Sequence, residues 1–101
     1  MKVSKVAVIV RNKANCWEGL RTSLGLAIEM IETHLVVLGK VSIAEERTEG
    51  FEENLEFLIN ELEGRAFTDT RANLDEWEYF EYLSVESVAQ SLDGYDLVIP
   101  F

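Results

Sequence analysis

Cys16, the one thiol in the chain, is the side chain with the most chemistry to offer. It follows a strand-like run and stands where a helical pattern begins. Backbone N–H groups at a helix start stabilise a thiolate and lower the thiol pKa. A sulfur that accepts another sulfur or attacks an electrophile would want that position. A solitary cysteine is also at home as a small buried hydrophobe, so reactivity and packing both stand as readings. Arg11, Asn12, Asn15 and Trp17 flank it in sequence. A second polar group, Thr68, Asp69, Thr70 and Arg71 with Asn73 close behind, falls at the end of a later strand-like run. Asp69 and Arg71 could bind a polar ligand or simply solvate a strand end. One cysteine allows neither an internal disulfide nor a multi-thiolate metal site, and no metal or cofactor is expected.

Several familiar chemistries fail on particular residues. Residues 16–23 read C-W-E-G-L-R-T-S. A tyrosine-phosphatase loop, C-x5-R-[ST], needs five residues between thiolate and arginine so that its amides encircle a phosphate. This chain has four, and one is the acidic Glu18. Neither G-x-G-x-x-G nor G-K-[ST] occurs. N-K-A-N-C-W-E is no flavodoxin-type phosphate loop, and Arg11 stands where a receiver domain needs an acidic residue. His34 lies on the side away from these groups and reads as structural or surface.

The elements that must position these residues follow from periodicity. Residues 3–11, V-S-K-V-A-V-I-V-R, form a β-branched run of the kind covered on both faces of a parallel sheet. In residues 17–32, Leu20, Leu24, Ala27, Ile28 and Ile31 recur at helical spacing, and Leu26 and Met30 widen the stripe to roughly 200° at ~100° per residue. A helix lying on a sheet needs about half that, so the surplus predicts a contact with another subunit. Residues 33–39 form a second strand and 51–63 a helix with Phe51, Leu55, Leu58, Ile59 and Leu62 inward and Gly64 as its expected C′ residue. A third strand covers 65–71 and a short fourth one 79–83. Ser84 is a good N-cap for a helix stapled by Leu83 and Val88. Residues 95–101, Y-D-L-V-I-P-F, read as a buried closing strand. The aromatic cluster of Trp77, Tyr79, Phe80 and Tyr82 suits core packing or a subunit interface. The β-α-β-α-β-β-α-β order implies a parallel sheet with right-handed crossovers. Ligands bind such sheets outside the C-terminal strand ends, where both polar groups fall.

Length and charge narrow the function classes. The chain has 101 residues, enough for one core, and is 48% hydrophobic, outside the disordered class. No run approaches the ~18 apolar residues of a membrane span, and no secretory signal is read at the start, so a cytoplasmic protein is expected. Nineteen acidic against nine basic residues leave a formal charge of −10. Such a field repels nucleic acid, whose binding rests on cations neutralising phosphates.

Three stretches share one further pattern. K-V-A-V-I-V-R at residues 5–11 is followed by L-R-T-S-L-G-L-A-I at 20–28. L-V-V-L-G-K-V occupies 35–41, and L-S-V-E-S-V-A-Q-S-L-D-G-Y-D-L-V-I-P-F closes the chain at 83–101. On these stretches the sequence resembles the DsrE/DsrF-like family, whose members include sulfur-relay proteins of dissimilatory sulfur metabolism and of tRNA thiolation. The resemblance implies a trimer or hexamer with sulfur-relay partners. It also implies a sulfur-carrying cysteine just after the third strand, where this chain has Thr68 or Thr70 and no thiol.

Together these readings predict a three-layer α/β/α domain spanning residues 1–101, with a mostly parallel five-stranded DsrE/F-like sheet. The expected function is a homo-oligomeric, non-catalytic accessory or carrier protein in intracellular sulfur transfer. The alternative is a small-molecule binding protein or thiol enzyme using Cys16, with Arg11, Asn12, Asn15, Trp17, Thr68, Asp69, Thr70 and Arg71 around the strand-end cleft. The charge balance predicts no binding to DNA or RNA at physiological salt. A gel shift at sub-micromolar protein that weakens with added salt would contradict it.

Overall fold

A computed structural model describes residues 3–101. The first strand, β1 (Lys5–Val10), leads through a 3-10 turn (Lys13–Asn15) into α1 (Cys16–Ile28) and then β2 (Glu32–Val37). A second 3-10 turn (Glu45–Arg47) opens α2 (Thr48–Glu56), which runs on as a π-helical turn (Phe57–Glu61) into β3 (Arg65–Thr68). Then come α3 (Arg71–Glu76), β4 (Glu81–Tyr82), α4 (Val85–Ser91), a 3-10 turn (Leu92–Gly94) and β5 (Leu97–Pro100). The five strands form one sheet in the order β4-β3-β2-β1-β5. Every pairing in it is parallel.

Alternation along the central strands builds two apolar clusters, because successive side chains leave a strand on opposite faces. Val6, Val8, Val10, Leu35, Val37 and Ala66 pack with Leu20, Phe51, Leu55, Leu58 and Trp77. Phe51 is fully buried and meets Trp77 edge-on, with ring centroids 4.8 Å apart. Ala7, Ile9, Val36 and Phe67 instead join Val88 in a smaller cluster, against which Leu83 packs as the predicted staple. Ser84 Oγ accepts the Ser87 N–H at 3.2 Å, as its N-cap assignment requires.

Several boundaries differ from expectation for identifiable reasons. The first helix stops at Ile28 because Met30 takes φ 64°, and the Ile31 N–H closes on the Leu26 carbonyl at 3.3 Å. Of the wide apolar arc, Leu26 packs on the larger cluster, Met30 lies beyond the helix and Ile28 is left exposed. Glu63, at φ 58°, takes the left-handed position expected of Gly64. Gly64 is needed for proximity instead: a Cβ there would stand 2.6 Å from Leu58 Cδ1 and 3.1 Å from the Thr33 carbonyl oxygen. The third strand ends at Thr68, leaving Thr70 to precede α3 and Arg71 to begin it. The fourth strand has only two residues. The closing strand is not buried, because β5 lies at the sheet edge beside β1 and Leu97 is 45% exposed. Asp96 fastens its start, accepting from the Ser4 N–H, the Ser4 hydroxyl and the Lys5 N–H, each at 2.9 Å.

His34 supports the smaller cluster from β2. Its ring is buried, with Nδ1 2.6 Å from the Tyr95 hydroxyl and Nε2 2.9 Å from Glu32 Oε2, and it meets Phe67 edge-on. Burial holds its pKa below the usual histidine value, with Lys5 and Arg65 adding to the effect and Glu32 opposing it. A histidine kept neutral by the fold stabilises the native state fully above the unfolded pKa of about 6.5 and loses that contribution as pH falls. His34 is the one histidine of the chain. The denaturant midpoint should therefore be lower at pH ~5.5 than at pH ~7.5, and a His34→Gln variant should lack most of that slope.

Candidate functional site

The C-terminal strand ends carry the polar residues that the sequence singles out, and the structure divides them into separate duties. Gly39, at φ 94°, turns the chain out of β2, and its N–H donates to Asp69 Oδ1 at 2.8 Å. The Thr70 hydroxyl donates to the same oxygen at 2.9 Å. Asn73 is fully buried. Its Nδ2 donates to the Gly39 carbonyl at 2.9 Å and to Thr68 Oγ1 at 2.8 Å, while its Oδ1 accepts the Val41 N–H at 2.9 Å. Thr68, Asp69, Thr70 and Asn73 thus clamp the connection between β2 and α2 onto the start of α3. Thr68 and Asn73, both buried, spend their polar atoms on these partners, while Asp69 and Thr70 stay half-buried.

The remaining predicted residues are scattered. Arg71 leaves Asp69 and lays its guanidinium 4.4 Å from the Tyr82 ring centre. Asn12 Oδ1 accepts the Ala14 N–H at 3.0 Å and caps the first 3-10 turn. The Arg11 and Asn12 amides donate to the Phe101 carbonyl at 2.8 and 3.3 Å, which ties this loop to the end of β5. Asn15 precedes α1 without a capping bond from its side chain. Trp17 packs between α1 and α2, with the Arg47 guanidinium 5.0 Å from its ring centre and Gly50 beneath it.

Cys16 begins α1, as expected, but its side chain is fully buried in the larger cluster. The expectation of a low-pKa thiolate is corrected on that ground. Burial raises its pKa above the ordinary thiol value and Glu18 adds to the rise, while the Ser42 backbone amide alone works in the opposite direction. Desolvation outweighs the helix start because the sulfur faces the core.

What opens at this edge is a groove of about 350 Å³ lined by Lys13, Lys40, Val41, Ser42, Ile43 and Glu76. A second groove, sharing Val41, Ile43 and Glu76, continues toward Thr48, Glu52 and Trp77. Ser42 both lines the first groove and reaches the buried thiol, so the clamped loop separates the two. Lys40 pairs loosely with Glu76 at 3.9 Å. Trp77 is 7% exposed, and its indole N–H has no hydrogen-bond partner among the described residues. Lys13, Lys40, Ser42 and Glu76 were absent from the sequence inventory. The signal available was position alone, since Lys13, Lys40 and Ser42 fall in the first two strand-end loops. Among the described residues no group of three or more His, Cys, Asp or Glu side chains could hold a metal ion.

No family model matches the chain, and no curated protein or solved structure is significantly similar to it. The chain is an α/β domain with an all-parallel five-stranded sheet, and no helix among the described residues is long and apolar enough to cross a membrane.

The clamp carries a measurable consequence. Asn73→Ala deletes three hydrogen bonds and strands the Val41 N–H and Gly39 carbonyl, a loss of about 2–4 kcal/mol in chemical denaturation. The same variant should alkylate Cys16 faster than wild type at neutral pH under native conditions, as read by intact mass. An unchanged rate would mean that the loop does not guard the thiol.

Proposed function

We propose that this chain is a DsrE/DsrF-like, three-layer α/β/α protein that serves as a cytoplasmic, homo-oligomeric, non-carrying accessory in intracellular sulfur transfer. The observation that carries this reading is the occupancy of the position after β3. Where the resemblance calls for a sulfur-carrying cysteine, Thr68 and Thr70 belong to a hydrogen-bonded clamp, and the one thiol is buried elsewhere. An exposed, ionised sulfur favours persulfide formation, whereas Cys16 is buried and burial raises its pKa. The apolar clusters on alternate sides of the sheet support the layered arrangement. Assembly into a trimer or hexamer rests on the resemblance and on the exposed apolar side chains Ile28, Phe57, Val85 and Leu97.

A second reading has one observation in its favour. The groove bearing Lys13, Lys40 and Ser42 adjoins the loop that covers Cys16, so a loop opening would create a small-molecule binding or thiol-enzyme site. Two measurements separate the readings. On the accessory reading, alkylation of Cys16 has a midpoint above the free-thiol pKa of about 8.5, and a persulfide donor adds no sulfur to the intact mass. A sulfur adduct on Cys16 would overturn it in favour of the thiol reading. Light scattering at micromolar protein should give a mass of at least three chains, and a mass of 11.5 kDa would remove the oligomer.

A further inference from the structure

The opposite end of the sheet, independent of the strand-end groove, carries a surface of different chemistry. The C-termini of α1 and of the π-turn closing α2 meet there, because both helices run antiparallel to the strands they connect. Between them lies an open groove of about 360 Å³. Its apolar part is Ile28, Met30, Ile31 and Leu62, and its carboxylates are Glu32, Glu61 and Glu63. No cation lines it. Neither helix carries a basic residue in its last turn, so the negative ends of two helix dipoles add to the carboxylates uncompensated. Glu32 is engaged by His34 at 2.9 Å and Lys5 at 3.9 Å, while Glu61 and Glu63 form no ion pair among the described residues.

Two further observations fall on the same groove. Met30, at 93%, is the most exposed of the large apolar side chains among the described residues, and Ile28 is 59% exposed. Met30 and Glu63 are also the two non-glycine residues at positive φ among the described residues, 64° and 58°. Glycine would serve either turn without strain, so a side chain kept there at a conformational cost points to a use for it.

We propose that this groove docks a segment of a partner protein in which a large apolar side chain is flanked by lysine or arginine. The apolar residue sits on Ile28, Met30, Ile31 and Leu62, and the cations meet Glu61, Glu63 and the two helix ends. Charge complementarity selects the occupant: Glu61 and Glu63, without ion pairs among the described residues, stand beside apolar side chains in one groove, and a polypeptide segment supplies both a cation and an apolar residue.

The test titrates the isotope-labelled chain with a peptide of about 14 residues built from leucine pairs and lysines, reading backbone amide shifts. A glutamate-for-lysine peptide and spermine serve as comparison ligands. Saturable shifts confined to residues 27–32 and 61–63 are expected with the lysine peptide and with neither comparison ligand. The E61K/E63K variant should weaken binding by about tenfold or more, and Met30→Ser by severalfold. The E45K/E46K variant, at the far end of α2, should change it by less than about twofold. Shifts spread over the whole acidic surface, or equal losses in both charge-reversed variants, would reduce the interaction to general charge attraction and overturn the proposal. Spermine binding as tightly at the same amides would also overturn it, making the groove a polyamine site.

Discussion

Asn73 holds the C-terminal edge of this sheet together. One buried amide bridges β3 to the Gly39 and Val41 backbone, and Asp69, the residue after β3, repeats the grip on Gly39. The connection from β2 to α2 has no regular structure between Gly39 and Ala44, so these side chains replace the missing ladder. With the loop held down, Ser42 stays over Cys16 and the sulfur remains a core atom. The loop that meets the only thiol in the chain is thus anchored by an asparagine far from it in sequence.

The same topology makes the two ends of the sheet unlike each other. At the strand C-termini, polar side chains are spent on one another, and the groove that remains mixes Lys13 and Lys40 with Glu76. At the strand N-termini, two helix C-termini converge with carboxylates and exposed apolar side chains. Ligand sites of open parallel sheets are expected at the first end. In this chain the first end keeps its grooves but commits Thr68, Asp69, Thr70 and Asn73 to the clamp, while Glu61 and Glu63 at the second form no ion pair among the described residues.

Periodicity carried most of the architecture. The β-branched run through Val10 and the i, i+4 stripes of the helices leave little freedom in element order, and Ser84 announces its helix by residue type alone. Edge position was not legible at Leu97 to Ile99, because an apolar run reads the same in a central strand and at a sheet edge. The arc of α1 was read too far along the chain, because periodicity does not reveal that Met30 has already left the helix. Thr68 and Asn73 looked like ligand groups for a related reason: a polar side chain at a strand end has the same sequence signature whether it faces solvent or a neighbouring loop. Ser42 gave no signal, since its effect on Cys16 depends on a loop that folds back from β2. Met30 and Glu63 are likewise invisible, because a left-handed turn is announced in sequence by glycine or asparagine.

The account turns on whether the loop between β2 and α2 is closed in solution. Native-state hydrogen exchange at the Gly39 and Val41 amides tests this most directly, since their acceptors are Asp69 Oδ1 and Asn73 Oδ1. A closed clamp predicts protection of both amides approaching that of β1, although neither lies in a helix or strand. Exchange at the rate of an open loop, with β1 still protected, would contradict the clamp and return Cys16 to the list of accessible thiols.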